Sequence, residues 1–143
     1  MTCEREARHR LGIACRLLGE AEQDADLGRW RSCAANAQQA VEHAAKAVLA
    51  CYGPVPRTHD VHVNLRKLAQ TEAGASGEGE RIERLSAVAA AYGREQHMRV
   101  TYGDEDDLVS PYDLIDEAEG RQSAADAREA CELAQQIVES RFP

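Results

Sequence analysis

Apolar residues return at alternating three- and four-residue steps along most of this chain. The clearest run is Trp30, Cys33, Ala37, Ala40, Val41, Ala44, Val48, Cys51 and Tyr52, a spacing that lines one face of a helix with about 3.6 residues per turn. The pattern predicts a helix from about Arg29 to the Gly53-Pro54 stop, with that face buried. Gln39, His43 and Lys46 fall on the opposite side, and Glu42 and Lys46 stand at i,i+4 in the favourable order. Upstream, Leu11, Ala14, Leu18, Ala21 and Ala25 mark the stripe of a first helix that Thr2 is placed to cap and that ends at Leu27-Gly28. Two long helices joined by so short a connection read as an antiparallel αα-hairpin, the framework of a bundle.

Beyond the proline stop, Thr58 or Asp60 is placed to cap a short third helix carrying Val61, Leu65 and Leu68. Thr71 to Gly79 is small, polar and glycine-rich, and composition alone predicts mobility there. A fourth helix is expected from near Glu80 to Met98 or Arg99, with Ile82, Leu85, Ala89 and Tyr92 facing inward. An acidic loop, Gly103 to Val109, precedes Ser110-Pro111, an N-cap followed by proline at the first helical position. The pattern then predicts a short helix to about Glu119, a break at Gly120, a new cap at Ser123 and a last helix burying Ala127, Cys131, Ala134 and Val138. The fold class is therefore all-α, an antiparallel bundle of about five helices occupying residues 1–143 as one domain.

Composition refines this picture. Only 4% of residues are aromatic and alanine dominates the apolar positions, so the helices should approach one another closely. The five cysteines are odd in number, widely spaced and without a CxxC pair, which points away from a disulfide framework or a zinc site. Cys15, Cys33 and Cys131 read as small core residues. The charged start, MTCEREARHR, has no apolar run behind it, and no stretch has the length of a membrane span, so a cytoplasmic protein is expected.

The formal net charge of −8 argues against a broad nucleic-acid groove, because such grooves neutralise phosphates with Lys and Arg. The imbalance is local. Asp104, Glu105, Asp106, Asp107, Asp113, Asp116, Glu117 and Glu119 include no base among them, and without these eight the remaining 17 acids match the 17 bases. A local anion site remains compatible with the rest of the chain.

The run Ala37-Gln38-Gln39-Ala40-Val41-Glu42, then Lys46-Ala47, Gly53, Pro56, Arg57-Thr58-His59-Asp60 and Leu65 resembles the central pattern of the HEPN family, with Arg99-Val100-Thr101-Tyr102 as a further match. That family comprises small all-α domains linked to nucleotide binding, among them ribonuclease toxins and partners of minimal nucleotidyltransferases. The resemblance implies a homodimer associated with a nucleotide or RNA, working with a minimal nucleotidyltransferase in a two-protein toxin–antitoxin-like system. The alternatives are a divergent metal-independent endoribonuclease and a scaffold that only dimerises.

The ribonuclease branch of the family carries an Arg followed, after four to six residues, by a His late in the domain. There His would move protons as the ribose 2′-hydroxyl attacks phosphate, and Arg would hold the phosphate oxygens. This chain departs from the pattern: its histidines are His9, His43, His59, His62 and His97, so none follows Arg99, and Arg94 precedes His97 with two residues between. Arg57 and His62 satisfy the spacing but straddle a loop and the start of helix three. No catalytic residue is assigned on this basis, and the expectation leans away from an enzyme.

Projected on a continuous fourth helix, Arg99 shares the stripe of Ile82, Ala89 and Tyr92, while Arg94 and His97 fall on the far, solvated side. An arginine on an apolar stripe requires a carboxylate, carbonyls or a bound anion. A structural ion pair, a ligand contact, and free exposure beyond a helix that has already ended, or pairing with the acidic loop beside it, are all open for Arg99. Tyr102, three residues on, resembles the Arg-then-Tyr arrangement of family members that lack the His. Arg99, Tyr102, Arg94 and His97 are thus the candidate ligand-binding residues. His59 and His62, at i,i+3, lack a third neighbour for a closed metal site, and no metal or cofactor is expected.

Overall fold

A computed structural model describes residues 3–71 and 77–143. Thr2, and most of the Thr71 to Gly79 stretch, lie outside these bounds. The chain forms an all-α bundle: α1 (Cys3–Asp26), α2 (Trp30–Ala50), α3 (His62–Gln70), α4 (Gly79–Ala89), α5 (Arg94–Tyr102), α6 (Pro111–Leu114) and α7 (Glu117–Arg141). The long α1–α2 hairpin is present, turning at Gly28 with φ +70°, a backbone conformation that glycine adopts without a steric penalty. No helix among the described residues is long and apolar enough to cross a membrane.

The core is built on α2. Ala37, Ala40, Val41, Ala44 and Val48 are fully buried, as the periodicity requires. Around them pack Leu65 of α3, Ile82, Leu85 and Ala89 of α4, and Ala127, Cys131, Ala134 and Ile137 of α7. The α1 stripe supplies Ala14, Leu18 and Ala21, with Leu11 and Ala25 half-buried beside them. Small side chains on facing helices let the backbones come close.

The side of α2 opposite its apolar stripe is itself largely covered. Gln39 is exposed, but His43 is half-buried and the Lys46 side chain retains only 13% of its exposure. Gln38 is completely buried. Because α2 packs against α1, α3, α4, α5, α6 and α7, it has no free side on which to display a polar stripe. Cys15, expected in the core, is exposed; Cys33 and Cys131 are buried, and loss of hydration pushes their thiols up to about 11 and about 12.

Two helix boundaries also fall elsewhere. The expected fourth helix is two helices, α4 and α5, separated by Ala90 to Gly93. A Cβ at Gly93 would collide with the Asp60 carboxylate, which comes in to accept the Arg94 backbone N–H at 2.8 Å. Asp60 thus satisfies an orphan donor of α5 from a distant loop, and the cap expected of it or Thr58 at α3 is not made. The Thr58 hydroxyl instead accepts the Asp60 N–H at 3.0 Å. The second shift is at α6, which stops at Leu114; Asp116 then caps α7 by accepting the Glu119 N–H at 2.9 Å. Gly120 lies inside α7 and does not break it. A Cβ there would sit 2.9 Å from the Trp30 ring, so the glycine serves the close approach of α2 to α7.

Candidate functional site

The candidate residues Arg94, His97, Arg99 and Tyr102 all stand on α5, a helix fixed at both ends. Asp60 caps its start, and near its end the Arg31 Nε–H donates to the Val100 carbonyl at 2.7 Å. Between these anchors Val100 packs on Ala34 and Ile115. The break at Gly93 resets the rotational phase of the helix, so a projection carried through from Leu85 does not describe which way these side chains point.

His97 turns inward and is not part of a solvated face. Its ring stacks on that of His59 with centroids 4.4 Å apart and planes 13° apart, and its Nδ1 lies 3.4 Å from the Gln38 side-chain oxygen. His59 Nδ1 in turn meets the Glu42 carboxylate at 2.6 Å, which also accepts from Lys46 Nζ at 2.9 Å. Burial would raise the Glu42 pKa, but the hydrogen bonds from His59 and Lys46 and the Lys46 charge outweigh it, and the carboxyl is held below its ordinary value. Gln38 completes the group, donating to the Tyr92 carbonyl at 3.0 Å from the centre of the bundle. A polar chain therefore runs from Lys46 through Glu42 and His59 to His97 and Gln38.

Arg99 points toward α7. It pairs with Glu119 at 2.5 Å and donates to Gln96 Oε1 at 3.2 Å, while Gln96 Nε2 donates to the same Glu119 oxygen at 3.0 Å. The side chains of Arg99 and Glu119 keep 35% and 27% of their exposure, leaving the guanidinium accessible. It borders two clefts, one of about 480 Å³ with Asp60, Gly93 and Glu95, the other of about 380 Å³ with Met98, Gly103 and Asp104 to Asp106. The partner of Arg99 is an acid of the negative run, although one on α7 and outside the loop.

The loop closes on itself: Asp104 and Val109 exchange backbone hydrogen bonds at 2.9 Å, and Asp104 Oδ1 accepts the N–H groups of Asp106 and Asp107 at 3.0 Å. Arg94 is exposed, and Tyr102 is 54% exposed. Within one chain, then, His97 faces α2 and Arg99 faces α7, with Arg94 and Tyr102 at the surface. The four residues share an element without converging on one cleft.

Arg57 and His62 do not share a cavity: Arg57 lines a basin with His59, and His62 lines the cleft that reaches Arg99. Buried His62 Nδ1 has no hydrogen-bond partner among the described residues. The pattern did not reveal Gln38 as a buried polar residue or Glu42 as the junction of two cations. The only signal was Gln38 interrupting a run of small apolar residues, since the Glu42–Lys46 spacing is equally that of an exposed pair.

Comparison with curated proteins returns no match. The model of the HEPN domain matches residues 7–141, from the first buried residue of α1 to the last residue of α7. The chain belongs to the HEPN domain family.

Proposed function

We propose that this chain is a non-cleaving, homodimeric HEPN subunit, associated with a nucleotide or RNA and partnered by a minimal nucleotidyltransferase in a toxin–antitoxin-like pair. The observation that carries the reading is the state of the late Arg and His residues. His97 is stacked on His59, and Arg99 is neutralised by Glu119, so a proton-transferring imidazole and a phosphate-holding guanidinium do not face one common opening. Family membership supports the nucleotide association. The same segment supports an interface: Met98, Tyr102, Leu108 and Tyr112 are exposed large apolar residues within residues 98–112, the type of side chain that anchors protein contacts. In the dimer two copies of Arg99 and Tyr102 would border a shared cleft with exposed Arg94 at its rim, while His97, turned toward α2, would stay outside it.

The test has two parts. Light scattering across a concentration series should give twice the chain mass, and co-expression with a minimal nucleotidyltransferase should yield a complex that Tyr102→Asp weakens. A monomer at tens of micromolar, or a complex indifferent to that change, would sink the reading.

The stacked His59–His97 pair beside Glu42 favours one second reading, a divergent metal-independent endoribonuclease, since two imidazoles and a carboxylate are the groups such chemistry uses. Cleavage of a mixed RNA pool in EDTA that disappears with His97→Ala would establish it. No cleavage above background is the outcome that supports the non-cleaving subunit.

A further inference from the structure

We propose that the basin between α1, α2 and the loop before α3 binds the phosphate of a small phosphate ester or diphosphate. The basin has a volume of about 520 Å³ and is lined by Glu6, Arg10, Lys46, Arg57, Thr58 and His59. That size falls within the range of about 300–1,000 Å³ usual for small-molecule sites. The loop carries Pro54 and Pro56, which restrict its backbone and hold Arg57 and Thr58 in place.

Charge and partner accounting set the ligand class. Lys46 is committed to Glu42 at 2.9 Å, and Arg10 pairs with Glu6 at 3.2 Å. Arg57 has no ion-pair partner among the described residues, so its planar fork is left for an incoming anion, and phosphate is the anion it grips with two parallel bonds. Counting Glu6 and Glu42 against Arg10, Lys46 and Arg57, the basin keeps an excess positive charge inside a protein of net charge −8. The Arg10–Glu6 pair keeps 26% and 30% of its side-chain exposure; pairs this accessible are weak, and a phosphate can draw Arg10 away.

His59 fits the same ligand. Glu42 holds its Nδ1 and His97 covers its face, so the ring is fixed while Nε2 has no partner among the described residues. In either protonation state Nε2 can bond a phosphate, accepting from P–OH when neutral and donating to P–O⁻ when charged. Nothing in this arrangement depends on α5 as a nucleotide or partner surface.

The experiment is isothermal titration of the full chain with pyrophosphate and, separately, with ribose 5-phosphate. Saturable binding at one site per chain is expected, weakened about tenfold or more by Arg57→Ala and by Arg10→Ala. Arg66→Ala, on an exposed position of α3 outside the basin, should leave it unchanged. Because Arg57 is exposed, loss of folding does not stand in for loss of binding, and circular dichroism of the variant checks this. Absence of saturable heat with both probes, or binding that survives Arg57→Ala unchanged, would overturn the proposal.

Discussion

Asp60 holds α5 in place through a single acceptor: its Oδ1 receives the Arg94 backbone N–H at 2.8 Å, across 34 residues of sequence. The contact couples the loop before α3 to the start of the helix that carries Arg94, His97, Arg99 and Tyr102. The next residue back, His59, stacks on His97 of the same helix, so two consecutive loop residues clasp α5. Asp60→Ala should cost about 1 kcal/mol, the usual worth of a helix cap, and Asp60→Asn less, because the amide oxygen still accepts. Thermal melts of the two variants against the parent check this ordering.

Gly93→Ala should be worse than the loss of the cap. The added Cβ meets the Asp60 carboxylate, so the substitution breaks the cap and forces the loop to shift. An expected loss of about 1–3 kcal/mol follows from overpacking, measured by urea denaturation. Gly93→Ala combined with Asp60→Ala should be less destabilised than the two single losses added together, since they remove one shared contact.

Arg99→Ala should destabilise by no more than about 1 kcal/mol, because both partners of the Arg99–Glu119 pair keep a quarter to a third of their exposure. Tested by melting with and without a short oligoribonucleotide, the variant should lose any stabilisation the parent gains. If the parent gains none, Arg99 is a structural pair member alone.

The stability of the protein should fall on mild acidification. Burial holds the His43 pKa below its ordinary value, the strongest of the influences on it, so the unfolded chain takes up this proton before the folded one does. Stability is therefore full above the unfolded value of about 6.5 and is lost as pH falls toward the folded value. Glu42, also depressed once His59 and Lys46 outweigh its burial, adds a further loss as pH drops below the ordinary carboxylate range. Melting temperatures between pH 7.5 and about pH 5 should show a decline that His43→Leu flattens.

How far the sequence disclosed this structure depends on the kind of signal. Ala37, Val41, Ala44 and Val48 announced a buried face through periodicity, and burial is what periodicity reports. Ser110-Pro111 announced a helix start, and Ser110 does accept the Asp113 N–H, at 3.3 Å. Two glycines mislead local pattern about helix boundaries. Local pattern carries a helix through Gly93 and breaks one at Gly120, whereas Gly93 stands at the start of α5, beyond the end of α4 at Ala89, and Gly120 is spanned by α7. In both cases the deciding atom belongs to a residue remote in sequence, the Asp60 carboxylate or the Trp30 ring, so local pattern could not distinguish them. The inward turn of His97 is hidden along with the first of these boundaries, since it depends on where the helix phase restarts.

The enclosure of α2 by the other helices has a consequence for how the molecule opens. Most of its residues from Ala37 to Ala50 are buried, so peripheral fluctuations should leave their amides covered. In deuterated buffer they should exchange last, at the rate of complete unfolding, while α6 and the 103–110 loop exchange early. α2 touches every other helix of the bundle, whereas any one of the others can detach while α2 keeps partners, which makes α2 the cooperative centre of the domain.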